Sequence, residues 1–323
     1  MSKSKIRELV ETIHLEKSSN IILFLTHHSR DEWIIDEITS SVNQIFSSEI
    51  EATLKTESLL FFKGFLEKIP AVILEQREAR EERLQQDRRQ DIAEQNYQDV
   101  NEDELEIDID PNSLISKINK MFRSIDVCGQ ILRNRIGSLE KNSLESIVNE
   151  SFSVSMRFVG LALKISESLK EESLKEIKNL LEQHPTVPDY KLTQQAQKIY
   201  WELNYWLIIG VLHKVAFCTG SAKGREIYIK IADSKDSPAA RLIQEIIELQ
   251  FEKKIDFNKV EMLHNDFASN PVCDLLLKHI ILNHCYMHDI GYKDRQRLAS
   301  ILQISIQQQQ LVNLAGSKTR QVL

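Results

Sequence analysis

The chain has 323 residues, of which 42% are apolar, and it contains only nine glycines and six prolines. This composition supplies a sizeable core, favours helix over an all-strand fold and excludes a chain that is disordered throughout. Its net charge is −7, and seven acidic residues with no basic one lie within Asn96–Asp110. The remainder is nearly neutral, so no nucleic-acid partner is indicated, because neutralising phosphates requires a basic face.

The sequence shows no membrane or secretion signal. It has no run of about 18 uncharged apolar residues, and Met1–Lys5 leads into an amphipathic pattern, not an apolar signal core. The four cysteines show no paired spacing, and we expect reduced core residues in a cytoplasmic protein. These cysteines are Cys128, Cys218, Cys273 and Cys285.

The first predicted elements are a helix over Lys5–Glu16 and a strand over Asn20–Thr26. Ile21–Leu25 is a continuous apolar run of strand length, which is typical of a strand buried on both faces of a parallel sheet. It stops abruptly at the polar run Thr26–Asp31.

A helix should follow this strand, because Ser29 and Glu32 fit a capping box, and it should continue to about Phe46. Ile50–Lys55 is a second candidate strand, followed by a helix over Ser58–Lys68. Together these elements predict a small α/β segment over residues 1–74.

Residues 75–112 have the pattern of a linker. From Glu75 to Gln95 the helix formers continue while the apolar face disappears, which predicts a helix exposed to solvent on all sides. The acidic stretch up to Asp110 follows, and Pro111 ends it.

Residues 113–323 read as one all-helical domain, so the fold class is mainly α: a helical bundle preceded by the α/β segment. Its central helix should be Leu114–Ile136, because the apolar spacing of four, three, four, three and four holds for about six turns. Gly129 lies on this helix where another helix can approach closely. The stripe consists of Leu114, Ile118, Met121, Ile125, Cys128 and Leu132.

The later helices are predicted from the same periodicity and from their ends. Ser237-Pro238 and Asn270-Pro271 each place proline at a first helical position after a capping residue. The predicted spans are 143–167, 171–183, 193–218, 224–233, 238–250, 258–268, 271–288 and 292–302. The span 193–218 is rich in aromatic residues, which we assign to the core in preference to a ligand pocket. They are Tyr200, Trp201, Tyr205, Trp206 and Phe217.

The polar run after the first predicted strand is the main candidate site. His27, His28, Arg30 and Asp31 are candidate catalytic residues, since open α/β sheets bind ligands where their strands end. The alternative is a polar strand end followed by a helix cap.

A weaker candidate is a metal site at His284 and His288, which are four residues apart on one helical face. No third or fourth ligand is evident in the sequence. Histidines at the end of a helix are also favoured by the helix dipole, so no metal or other cofactor is expected.

Two nucleotide-related motifs are missing. No segment matches the P-loop pattern GxxxxGK[ST], and the turn Gly220–Gly224 lacks the preceding strand. Arg133-Asn134 begins the Arg-x4–6-His pattern of HEPN-class ribonucleases, but the next histidine is His184.

Three segments resemble the C-terminal part of bacterial STAND-type P-loop NTPases, which are relatives of NACHT and NLR proteins. They are Phe24–Glu32, Gly129–Glu140 and Asn283–Leu298. The resemblance implies a switch protein in bacterial defence, in which the first segment ends an NTPase core and the helices regulate and sense. The chain departs from the family in lacking the P-loop, so the NTPase half would lie in a longer chain or in a partner.

Two functions are therefore open. The first is a non-catalytic regulatory and sensing module that binds a protein, either an NTPase module or another copy of itself. The second is a hydrolase or nuclease that uses His27, His28, Arg30 and Asp31.

Overall fold

The structure is a computed structural model that describes residues 2–28, 32–56, 59, 113–183, 189–252, 254–288 and 290–304. These residues form twelve α-helices and one short 3₁₀ helix (Ala222–Gly224), with no strand among them. The helices are α1 Lys3–Glu11, α2 Glu16–His28, α3 Trp33–Gln44, α4 Leu114–Arg135, α5 Lys141–Ser168, α6 Lys170–Glu182, α7 Asp189–Thr219, α8 Arg225–Lys235, α9 Pro238–Phe251, α10 Phe257–Asp266, α11 Pro271–Met287 and α12 Tyr292–Ile301. The fold is mainly α, as predicted.

The chain forms two compact units. Helices α1 to α9 belong to the first unit, and α10 to α12 belong to the second. All predicted helices beyond residue 113 are present, with ends within a few residues of the predicted ones. The capping predictions at two of them are also confirmed, since the side chains of Ser237 and Asn270 accept hydrogen bonds from the backbone N–H groups of Ala240 and Cys273.

Helix α4 is the central helix of the first unit and packs against α2, α3, α5 and α7. Ser113 caps its N-terminus by accepting a hydrogen bond from the Ser116 N–H at 3.1 Å. The stripe is buried from Met121 to Leu132. Leu114 and the neighbouring Ile115 are exposed and Ile118 is half-buried, so the fully buried stripe begins about two turns later than predicted.

Gly129 allows α7 to approach α4 closely, as its position on the stripe predicts. A Cβ atom placed there would lie 1.9 Å from the carbonyl oxygen of Cys218, near the end of α7. Any side chain at this position would push the two helices apart.

The predicted strand over Asn20–Thr26 is wrong, because these residues form the second half of α2. Ile22 is buried while Phe24 is exposed, so the apolar run has one buried face and not two. Thr26 donates its hydroxyl to the Leu23 carbonyl within the helix at 2.9 Å. A short apolar run is compatible with either structure, and periodicity alone does not separate them.

The second predicted strand, Ile50–Lys55, is also wrong, because its backbone pairs with helices. The Ala52 N–H donates to the Met156 carbonyl on α5 at 2.9 Å. The Ala239 N–H on α9 donates to the Thr53 carbonyl at 3.2 Å. The segment is irregular in structure, and the small α/β segment is therefore not formed. The predicted cap Ser29 lies outside the described residues, as does the predicted helix over Ser58–Lys68 apart from the single residue Leu59.

The N-terminal helices pack with α4 and α5 inside the first unit, which differs from the predicted separation of 1–74 from 113–323. Buried Arg157 on α5 supports this packing by donating to the Val42 carbonyl at the end of α3 at 3.3 Å. The predicted linker 75–112 lies outside the described residues.

Among the described residues, no single helix is both long and apolar enough to cross a membrane. The segment Lys191–Thr219 meets the length and composition requirements only together with Ala222–Lys235, and the pair is bent by 94°. All four cysteines are buried, and none forms a disulfide.

Candidate protein-interaction surface

The predicted catalytic residues His27 and His28 lie on the exposed last turn of α2. Their ring centroids are 5.1 Å apart, and the His28 ring lies 4.3 Å from that of Phe24. Arg30 and Asp31 lie outside the described residues. Because α2 is a helix, these histidines do not follow a strand, and the structural reason for expecting a ligand at this point is absent.

The last turn of α2 is held by α4. The guanidinium group of Arg135 is buried and donates to the Thr26 carbonyl at 2.7 Å and to the Ser138 hydroxyl at 3.2 Å. The Glu140 N–H donates to a carboxylate oxygen of Glu32 at 3.4 Å. Parts of two of the three segments that carry the family resemblance therefore meet here. Arg135 satisfies a carbonyl that the helix end leaves without an intrahelical partner, which is a structural role.

The weak metal candidates lie at the end of α11 in the second unit. Their ring centroids are 4.2 Å apart, and His284 is buried. The part of the chain that the structure describes brings no group of three or more His, Cys, Asp or Glu side chains together in a way that could hold a metal ion.

A polar cluster between α5 and α8 has some features of a catalytic site. The Lys235 ammonium donates to the Ser153 hydroxyl at 2.7 Å and to the Glu51 carboxylate at 3.0 Å. Burial raises the pKa of nearby Glu150, against the opposing effect of Arg157. A lysine that activates a serine must be neutral, whereas the Lys235 ammonium forms an ion pair with the Glu51 carboxylate. The cluster therefore ties α8 to α5 and to segment 51–55.

The most distinctive surface of the first unit is one face of α7, which we call the outer stripe. It consists of Leu203, Trp206, Gly210, His213 and Phe217, which follow one another at intervals of three, four, three and four residues. Leu203 is 60% exposed, Trp206 41% and Phe217 59%. This is the heptad spacing with which one helix packs against another.

The opposite face of α7 fills the core and fixes the direction of the outer stripe. Tyr200, Tyr205, Ile208 and Leu212 are buried there. The Tyr200 hydroxyl donates to the Ser166 carbonyl of α5 at 2.8 Å. A helix that is apolar on all sides is normally buried, yet α7 leaves one of its apolar faces exposed.

The C-terminal half of α7 is held against α4 by charged groups. The Lys214 ammonium and the Asp126 carboxylate lie 2.6 Å apart, and the Cys218 thiol donates to the same carboxylate at 2.9 Å. Arg133 donates to the Cys218 carbonyl and, at 3.5 Å, to that of Phe217. These four contacts hold the C-terminal half of α7 against α4. With the helix in this position, the Phe217 side chain is exposed.

The outer stripe is uncharged at neutral pH. Lys214 lies at its edge, where the ammonium is occupied by Asp126. Burial lowers the pKa of His213 to about 4, so its ring is neutral, and it stacks on Phe217 with centroids 5.7 Å apart. Burial also raises the pKa of the Cys218 thiol to about 11, which makes this cysteine a poor nucleophile.

Gly210 lies at the centre of the outer stripe, and no described neighbour is close enough to require a glycine there. Gly129 and Gly160 each face a backbone carbonyl that leaves no room for a Cβ atom, at 1.9 and 2.3 Å. By contrast, no atom of the described part of the chain lies within 4 Å of a Cβ atom placed on Gly210. Glycine within a helix costs about 1 kcal/mol relative to alanine, so this position gives up stability without a described contact that requires it.

The sequence prediction assigned the aromatic residues of α7 to the core, which is right for Tyr200, Trp201 and Tyr205 and wrong for Trp206 and Phe217. Two sequence features point to this surface: residues 193–218 are apolar on every side of the predicted helix, and a glycine lies near its middle. These signals indicate that α7 needs covering on all sides, but they do not indicate which face the described part of the chain leaves exposed.

Comparison with known proteins does not assign the chain to a family. No protein-family model matches it, and neither the curated proteins nor the solved structures include a match.

Proposed function

We propose that this chain is a non-catalytic regulatory module of the cytoplasm that works by binding a protein at the outer stripe of α7. The observation that carries the proposal is a heptad-spaced face, four turns long, on which Leu203, Trp206 and Phe217 are exposed while the opposite face of the helix is packed in the core. The reduced, buried cysteines are compatible with a reducing compartment.

The stripe has the composition of a binding surface. Aromatic residues are enriched among the residues that dominate binding energy, and this stripe contributes Trp206 and Phe217. Each square ångström of apolar surface removed from water stabilises a complex by about 25 cal/mol before the costs of association. The anchored backbone of α7 reduces those costs, since little ordering remains to be done on binding.

The connection to STAND-type NTPases is part of the proposal and is supported by the sequence resemblance alone. In that role the partner would be an NTPase module or a second copy, and binding would couple nucleotide state to assembly. The hydrolase or nuclease alternative has weaker support, because His27 and His28 are exposed at the end of a helix. A broad phosphodiesterase assay comparing His28→Ala with the unaltered chain tests that alternative.

Site-specific photo-cross-linking tests the docking role. A photoreactive phenylalanine analogue is placed at position 203 or 217 of the full chain in cells that express it. The matched control is position 180 on α6, where Leu180 is 52% exposed on a different helix. We expect a discrete cross-linked protein band, identified by mass spectrometry, from positions 203 and 217 and not from position 180. Equal cross-linking from all three positions, or from none, would reject the outer stripe as the docking surface.

A further inference from the structure

We infer that residues 46–55, which we call the strap, detach from the surface of the first unit as one segment while its helices stay folded, and that ionic strength controls this opening. The strap follows α3 and contacts α5, α8 and α9. The inference goes beyond the docking role proposed for α7 and does not depend on it. Three features support it: strained backbone at both ends of the strap, backbone contacts that lie outside the helices' own hydrogen bonds, and attachment by ion pairs.

The backbone of the strap is strained at both ends. Phe46 has a φ of 54° and Leu54 a φ of 59°, which is the left-handed region that residues with bulky side chains rarely adopt. Phe46 lies just beyond the end of α3, where glycine is the usual residue in this conformation. Both side chains are buried, so their packing holds a backbone conformation that is unfavourable by itself. Detachment releases this strain and so favours the open state.

The strap contacts the helices through backbone groups that the helices do not need for their own structure. The Ala52 N–H donates to the Met156 carbonyl of α5. The Thr53 carbonyl accepts from the Ala239 N–H of α9, and neither bond is part of a helix. Water can replace both partners when the strap detaches. Helices α5 and α9 therefore keep their own hydrogen bonds in the open state.

Gly160 on α5 accommodates the backbone of the strap. A Cβ atom placed there would lie 2.3 Å from the Ile50 carbonyl oxygen, so only glycine allows the strap to lie this close to α5. The Ile50 side chain is 86% exposed, and the contact is made by its backbone. A substitution at Gly160 therefore acts on the strap without removing a side-chain contact.

Two exposed ion pairs hold the strap near its ends. Glu49 pairs with Lys164 of α5 at 3.4 Å. Lys55 pairs with Asp236, which follows α8, also at 3.4 Å. The side chains of Lys164 and Asp236 are 74% and 75% exposed, so dissolved salt screens both pairs. Raising the salt concentration should therefore favour the open state.

The middle of the strap is held by a more shielded ion pair. The Glu51 carboxylate lies 3.0 Å from the Lys235 ammonium, and the Lys235 side chain is only 13% exposed. The same ammonium donates to the Ser153 hydroxyl of α5 at 2.7 Å. Burial of Leu54 also opposes detachment. The closed strap is therefore the ground state, and its opening is a local event that needs less free energy than unfolding of the core around α4.

Native-state hydrogen exchange tests whether the strap opens by itself. The unaltered full chain is incubated in deuterated buffer with increasing urea below the unfolding transition, and mass spectrometry compares peptides covering residues 47–55 and 121–132. The strap should be at least about tenfold less protected than α4, with a weaker dependence on urea, because local opening exposes less surface than global unfolding. Equal protection and equal urea dependence of the two peptides would overturn the inference.

A core variant separates local opening from global unfolding. Ile125→Ala weakens the packing of α4, where Ile125 is fully buried, in the closed and in the open state alike. It should lower the protection of residues 121–132 at least about tenfold and leave that of the strap unchanged within about threefold. An equal loss of protection in the strap would show that the strap opens only when the whole unit unfolds, which contradicts the inference.

Two glycine variants test the contact with α5. Gly160→Ala places a methyl group against the Ile50 carbonyl and should lower the protection of the strap at least about tenfold. Gly210→Ala is the matched control, since no described atom lies within 4 Å of its new Cβ, and it should change that protection by less than about threefold. An effect of Gly160→Ala no larger than that of Gly210→Ala would refute the contact.

Two lysine variants test control by charge. In the unaltered chain, the protection of the strap should fall as salt rises from about 0.05 to 1 M. Lys235→Met removes the ion pair with Glu51 and should lower the protection of the strap and weaken its dependence on salt. Lys178→Met, which removes the exposed pair with Glu182 on α6, should change neither. Protection that responds neither to salt nor to Lys235→Met would reject ionic control, and it would leave the docking role of the outer stripe unaffected.

Discussion

Alanine at Gly129 and alanine at Gly210 should change stability in opposite directions. At Gly129 the new Cβ would lie 1.9 Å from the Cys218 carbonyl oxygen and 2.5 Å from its carbon, both of them backbone atoms. Ordinary contacts begin near 3.4 Å, so α4 and α7 must separate by about 1.5 Å. Overpacking of this kind costs about 1–3 kcal/mol, and a clash with backbone falls at the upper end of that range.

The intrinsic helix preference works against that cost, since alanine is favoured over glycine by about 1 kcal/mol. The net expectation for Gly129→Ala is a loss of about 2 kcal/mol. Separating the helices also strains the contact between Lys214 and Asp126. Gly210→Ala meets no described atom, so only the helix preference acts and stability should rise by about 0.5–1 kcal/mol.

Urea unfolding followed by far-ultraviolet circular dichroism measures both changes from the midpoint and slope of the transition. The protein is kept dilute, so that the unfolding of a single copy is observed. Stabilisation by Gly129→Ala would refute the close approach of α7 to α4. Destabilisation by Gly210→Ala would show that another part of this chain occupies the space above it.

Three further outcomes are expected. Ile125→Ala and Leu132→Ala should each lower the free energy of unfolding by about 2–5 kcal/mol, because both side chains are fully buried; losses below about 1 kcal/mol in urea unfolding would contradict the packing of α4. The free energy of unfolding should fall as the pH drops from about 6.5 towards 4, because His213 binds a proton in the unfolded chain but, with its pKa lowered to about 4, not in the folded one. His213→Gln should flatten this part of the pH profile in urea unfolding, and an unchanged profile would rule out the burial of that ring. Isothermal calorimetry should detect no micromolar binding of ATP with Mg²⁺ to this chain, since it lacks the P-loop that would hold the phosphates and the metal, and a measurable binding isotherm would argue against a purely regulatory role.

The helices after residue 113 could be predicted because their signals are local. Ser237 and Asn270 cap helices whose first residue is proline, and the stripe around Ile125 keeps its period over many turns. Ile21–Leu25 was misassigned because five apolar residues suit either a buried strand or a helix. The segment is helical because α2 packs against α1 and α4, which requires only one buried face.

The candidate surface could not be predicted from the sequence in the same way. Tyr205 and Trp206 are adjacent and chemically similar, yet Tyr205 is almost fully buried and Trp206 is 41% exposed. That difference depends on where α4, α5, α6 and α9 lie around α7, which is information from distant parts of the chain. Gly210 is a similar case. A glycine within a helix indicates that another group can approach the backbone closely, but it does not identify that group.

The central claim is that the outer stripe faces a partner and not the rest of this chain. The free energy of unfolding of the double variant Leu203→Glu/Phe217→Glu, measured in dilute solution, tests it most directly. If the stripe is a docking surface, two exposed side chains become charged, and the free energy of unfolding should change by no more than about 1 kcal/mol. If the stripe is part of this chain's own core, two charges become buried without partners, and a loss of more than about 4 kcal/mol would contradict the claim.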